Sequence, residues 1–178
     1  MATWLALLRG INVGGKNVLP MAGLRMDLES LKFRNIRTYI QSGNVLFESP
    51  AKSPKSLAKK IASLIEERYG FCPQVLVLDH EDLVAAAEGN PFPKAAKDPK
   101  SLHFFFLSEP AKAADVESIA NACAKSEKYE LTNRVFYLAA PDGIGRSKLA
   151  ANAEKYLGVN ATARNFRTVG RLLELATK

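Results

Sequence analysis

The sequence predicts an α+β fold: two packed ferredoxin-like (split βαβ) subdomains with antiparallel-rich sheets and a C-terminal helical segment. Three observations carry that reading. Apolar spacing switches between the strand and helix periods in the order β-α-β-β-α-β up to residue 79, and then as β-α-β-β-α-α from residue 101. Each half holds one hairpin signal, Ser42-Gly43-Asn44 in the first and Thr132-Asn133 in the second. Between them, Asn90-Pro91-Phe92-Pro93 and the polar residues through Lys100 read as a linker. The predicted organisation is therefore 1–89, a linker at 90–100, and 101–178.

The elements follow in order. Thr3 to Arg9 is an apolar run that reads as a buried strand, and it leads into the glycine-rich stretch Gly10 to Asn17. Pro20 suits the first position of a helix, with Met21, Leu24, Leu28 and Leu31 at helical spacing. Asn35 to Gln41 alternates as a strand, and Val45 to Glu48 returns as its hairpin partner. Ser53-Pro54 is an N-cap followed by proline. Leu57, Ile61, Leu64 and Ile65 form the stripe of the next helix, which Gly70 ends. Val75 to Leu78 is a strand, after which Asp79 caps a short helix through about Glu88.

In the second half, Leu102 to Leu107 is an aromatic strand. A helix over roughly Lys112 to Ala124 turns Val116, Ile119, Ala120 and Cys123 inward. Glu127 to Leu131 and Arg134 to Ala139 form the second hairpin. Ser147 to Leu157 and Phe166 to Ala176 are helices, the last with Val169, Leu172, Leu173 and Ala176 inward.

Composition bounds the function classes. At 178 residues, with 47% hydrophobic and 24% charged side chains, the chain is an ordinary globular one with room for a substantial core. No apolar run approaches the ~20 residues that cross a bilayer. Trp4 to Leu8 has no preceding side-chain cation and no cleavage site, so it is not a signal peptide; a cytoplasmic protein is expected, with no membrane partner. Cys72 and Cys123 lack metal-type spacing and read as buried apolar thiols. His80 and His103 read as structural. No metal site and no cofactor is expected.

The net charge of +7 is concentrated at the ends: residues 1–50 carry six basic against three acidic side chains, and 141–178 carry seven against three. The same ends hold the glycine-rich polar motifs, a pairing that favours phosphorylated ligands or polyanions. Gly10 to Lys16 fits Gly-x-x-x-x-Gly-Lys, but position 17 is asparagine where Mg²⁺ coordination wants serine or threonine. Val18 and Leu19 also intervene before the helix, so an NTPase loop is rejected. Ser56-Leu57-Ala58-Lys59 is an isolated Ser-x-x-Lys on an amphipathic helix. Arg146, Ser147 and Lys148 follow a Gly-Ile-Gly turn, with Ser147 also a helix cap. Arg164, Asn165 and Arg167 open the last helix, with Asn165 as its cap.

Three stretches carry a resemblance: Arg9 to Asn17 (RGINVGGKN), Thr38 to Val45 (TYIQSGNV) and Thr162 to Val169 (TARNFRTV). Together they resemble a widespread bacterial family, domain-of-unknown-function family 1697, over essentially the whole chain. Phe166 stands where the resemblance implies tryptophan, and either aromatic can anchor a helix. The family implies an α+β fold and no assigned reaction.

The expected function is binding of a phosphate-bearing or other anionic ligand. Arg9, Lys16, Arg164 and Arg167 would neutralise its charge. The Gly14 and Gly15 amides would form an anion nest. Asn12, Asn17, Gln41, Ser42 and Asn44 would orient it, with Arg146, Ser147 and Lys148 as further contacts. A nucleic-acid-binding module is the alternative, and an enzyme on a small phosphorylated or nucleotide substrate a third reading. Equally open is a structural clasp, in which the polar motifs fasten one subdomain to the other. The sequence does not set the oligomeric state.

Overall fold

The structure, a computed structural model, describes residues 1–177. Its contacts divide the chain into two units, one from Met1 to Val84 joined by the segment from Leu172 onward, the other from Ala85 to Arg171.

The first unit runs β1 (Ala2–Arg9), α1 (Met21–Glu29), β2 (Arg34–Tyr39), β3 (Asn44–Ser49), α2 (Pro54–Tyr69), β4 (Gln74–Asp79) and the start of α3 (His80–Glu88). The strands lie in the order β2-β3-β1-β4, every pairing antiparallel. Strands joined through a helix (β1 and β2, β3 and β4) are therefore parallel, each pair split by one strand between them. This is the split βαβ arrangement. One sheet face, with Trp4, Ala6, Leu8, Val45 and Phe47, packs against Leu24 and Leu28 of α1 and Leu57, Ile61 and Ile65 of α2. Leu5, Leu7 and Leu46 alternate onto the other face and are also buried.

Local chemistry sets the element ends. Ser53 Oγ accepts from Ser56 N at 3.2 Å, and Gly70 closes α2 at φ 77°. Asp79 Oδ1 accepts from Asp82 N at 2.7 Å, the cap expected for α3. Arg37 donates from Nη1 to the carbonyl of Leu175, which gives one end-carbonyl of the last helix a cationic partner.

The second unit holds β5 (Leu102–Leu107), α4 (Val116–Ala122), β6 (Lys128–Leu131), β7 (Val135–Ala139), α5 (Lys148–Leu157), β8 (Ala161–Asn165) and the start of α6 (Phe166–Ala176). Its sheet repeats the first, in the order β6-β7-β5-β8. Phe105, Leu107, Phe136 and Leu138 pack against Ile119, Leu149, Ala153 and Leu157. On the other face, Phe104 meets Tyr137 edge-on at 4.8 Å and Phe166 at 5.5 Å, and Tyr137 Oη donates to the buried carbonyl of Ala86. Phe166 thus anchors the start of α6, as the sequence suggested. The segment 90–100 lies in this unit and contains a short 3₁₀ helix at Ala95–Lys97.

Several expectations are corrected. Residues 161–165 are a strand paired with β5, where the sequence suggested only the approach to a helix. Its inward residues are two alanines, too small to mark a strand by apolar alternation. The fourth helix is shorter than expected, and Val116 and Ala120, expected inward, are exposed. Cys72 is exposed and Cys123 half-buried, so neither is a buried core thiol. Leu31 lies beyond α1, half-buried against the core.

His103 is buried on β5, and no hydrogen-bond partner is found for its Nδ1. Burial pushes its pKa below the ordinary 6.5, opposed in part by a hydrogen bond to the Ser101 backbone. The unfolded chain therefore takes up the proton first. Stability is full above about pH 6.5 and falls as the pH drops below that value toward the depressed folded pKa. Urea midpoints at pH 7.5 and 5.0 should diverge more for the wild type than for His103→Leu; equal divergence contradicts this assignment.

Candidate functional site

The stretch after β1 folds back on itself as a small hairpin. Lys16 N donates to Val13 O and Asn12 N to Asn17 O, both at 3.1 Å. Gly14 and Gly15 hold the two central positions at φ 58° and 73°. Two consecutive positive φ values are the mark of a type I′ turn, which matches strand twist and which glycine enters without strain. The amides assigned by sequence to an anion nest are thus the central amides of a tight turn.

The asparagines hold this hairpin in place. Asn12 Nδ2 donates to Leu19 O at 3.0 Å and to Gln41 O at 2.9 Å, while its Oδ1 accepts from Leu19 N at 2.8 Å. Asn17 Nδ2 donates to Gly10 O at 2.8 Å. Both asparagines take positive φ, which their side chains tolerate better than most. Asn44, fully buried, donates to Tyr39 O and Ser42 Oγ and closes the β2–β3 turn.

Two of the three sequence motifs meet here. Leu8 N donates to Gly43 O at 2.8 Å, and a Cβ at Gly43 would stand 2.6 Å from Leu8 Cβ and 2.9 Å from Ile11 Cδ1. Residues 41–44 and the 10–19 hairpin therefore form one packed assembly in the first unit. Around it Arg9, Lys16, Gln41 and Ser42 are exposed, and Arg9 Nη1 also donates to Gln74 Oε1 on β4 at 3.1 Å.

Three exposed apolar residues complete the surface: Val13 at 69%, Val18 at 62% and Ile40 at 51% exposure, the last read from sequence as a strand residue but lying in the turn beyond β2, which ends at Tyr39. Ile40 sits at φ 49°, a strained conformation for a β-branched side chain. Ile40→Asn should raise stability by about 1 kcal/mol in denaturant unfolding, because asparagine tolerates that region. A loss of stability would show that Ile40 packs inward. Val13 and Val18 were legible as apolar residues in a polar loop, whereas the φ of Ile40 had no sequence signal.

In the second unit the third motif forms β8 and the first turn of α6. Arg164 lies opposite Phe104, and its guanidinium donates to Ala163 O at 2.8 Å. Burial lowers its pKa to about 10, so it carries its charge at neutral pH. Asn165 Oδ1 caps α6 by accepting from Thr168 N at 2.9 Å, while Arg167 is exposed. Arg146 and Lys148, both exposed, flank a separate cap in which Ser147 Oγ accepts from Ala150 N at 3.0 Å. Among the described residues no group of three His, Cys, Asp or Glu side chains could hold a metal ion, and no helix is long and apolar enough to cross a membrane.

A solved structure of a conserved bacterial protein from Streptococcus pneumoniae is similar to this chain, with a TM-score of 0.73 and 26% identity over 98% of each chain. No curated protein matches. The model of the family described as "Protein of unknown function (DUF1697)" matches residues 1–137, which include the hairpin and the turn packed against it, and the chain belongs to that family.

Proposed function

We propose that the first unit binds a phosphate-bearing or other anionic ligand on the 10–19 hairpin. One observation carries the reading. The asparagines and Gly43 hold the hairpin from within, while Lys16, Arg9 and Gln41 are left exposed around it. A surface fixed before the ligand arrives loses little entropy on binding. In this reading Lys16 and Arg9 neutralise charge and Gln41 and Ser42 orient the ligand. Asn12, Asn17 and Asn44 are positioning residues rather than contacts.

A second reading, a nucleic-acid strand, is favoured by Val13, Val18 and Ile40, since apolar side chains among cations suit bases beside phosphates.

Calorimetry with inorganic phosphate, a nucleoside triphosphate and a single-stranded oligonucleotide separates these readings. Lys16→Ala should weaken the binding ligand about tenfold, as for loss of a charge-assisted hydrogen bond, and leave stability within about 0.5 kcal/mol. Affinity that grows with oligonucleotide length and collapses between about 50 and 200 mM salt selects the strand. No binding by any of the three overturns both readings.

A further inference from the structure

The second unit contains a cleft of about 550 Å³, within the roughly 300–1,000 Å³ typical of small-molecule sites. Pro91, Phe92 and Pro93 line it together with Ala139 and Pro141. Proline has no N–H and a fixed φ, so these walls present rigid C–H surface. The first wall is held in place: Phe92 N donates to Asn90 Oδ1 at 2.9 Å, and Ala95 N donates to Phe92 O at 3.0 Å. Opposite it, Ala140 N donates to Ser101 O at 2.8 Å, tying the end of β7 to the start of β5.

Polar groups in the lining are few, and their state is informative. Ser101 Oγ donates to Asp98 O at 2.9 Å, and Ser126 Oγ donates to the Asp142 carboxylate at 2.5 Å. Both hydroxyl protons point into the protein's own network. The side-chain donors left in the lining are the ammonium groups of Lys94 and Lys128, both on exposed residues. A ligand here meets apolar walls and the two exposed lysines of the lining, while the Asp142 carboxylate beside it is engaged by Ser126.

We infer that this cleft is a binding site for a flat, apolar small molecule bearing a carboxylate, of the aromatic-acid class, separate from the hairpin of the first unit. The full chain is titrated with 2-naphthoate and observed through backbone amide NMR shifts, with 2-naphthamide as neutral control and inorganic phosphate in parallel. Saturable shifts are expected at Ala95, Ser101 and Lys128, at ligand concentrations up to about 5 mM for a molecule this small. The Lys94→Gln/Lys128→Gln double variant should weaken the acid about fivefold, as for two exposed charge contacts, with an unchanged melting temperature. Phe92→Ala should weaken acid and amide alike. Absence of shifts in the cleft, or an amide that binds as tightly as the acid, overturns the inference. Phosphate shifts in the cleft as large as those of the acid also overturn it.

Discussion

Gly43→Ala is expected to destabilise the protein by roughly 4 kcal/mol, because a Cβ there meets the closest neighbours of any glycine in the first unit. Two costs add. Gly43 sits at φ 80°, where an L side chain costs about 1–2 kcal/mol. The new Cβ would also lie 2.6 Å from Leu8 Cβ, 2.9 Å from Ile11 Cδ1 and 3.2 Å from Leu8 O, and overpacking of this kind costs about 1–3 kcal/mol. Two of those three neighbours belong to the backbone and Cβ of Leu8, so Leu8→Ala cannot relieve them. Ile11→Ala removes one contact but truncates a core side chain, so its partial relief should appear as coupling in a double-mutant cycle. A decrease below about 1 kcal/mol in urea unfolding would mean that the turn moves aside freely. Residues 41–44 would then not be packed tightly against the 10–19 hairpin.

Asn12→Ala is expected to cost about 4 kcal/mol, from three lost hydrogen bonds and backbone strain together. Its side chain makes three hydrogen bonds, two to Leu19 and one to Gln41 O, each worth about 1 kcal/mol net. Alanine at φ 54° adds strain that glycine would not. Asn12→Gly should therefore lie about 1 kcal/mol above Asn12→Ala. Asn12→Asp keeps the acceptor for Leu19 N, loses both donated bonds, and places an anion beneath the proposed anion surface. It should weaken binding more than its stability loss explains. Equal stability of the alanine and glycine variants would remove the strain term; a negligible loss in both would remove the hydrogen bonds.

Those two residues show where the sequence was legible and where it was not. Caps and turns announce themselves because one residue type does one local job: Ser53, Asp79, Ser147 and Asn165 all cap the helices they precede. The long stripe of α2 and the two hairpins are local in the same sense. The glycine loop is different. Gly14-Gly15 serves a type I′ turn as readily as an anion nest, and composition does not separate them. Asn12 and Asn17 were read as ligand contacts, and their hydrogen-bond partners, Leu19, Gln41 and Gly10, are backbone groups that no motif advertises. Strand β8 was missed because its pairing with β5 is a long-range contact and its inward alanines carry little apolar signal.

The 10–19 hairpin is proposed here as a pre-set anion surface. The most direct test is an amide NMR titration of the wild type and Lys16→Ala with a nucleoside triphosphate, alongside their melting temperatures. Saturable shifts are expected at Gly14, Gly15, Lys16 and Gln41, with binding about tenfold weaker in the variant and melting temperatures that coincide. Binding of equal strength in both proteins, or shifts that leave the hairpin untouched, would contradict it.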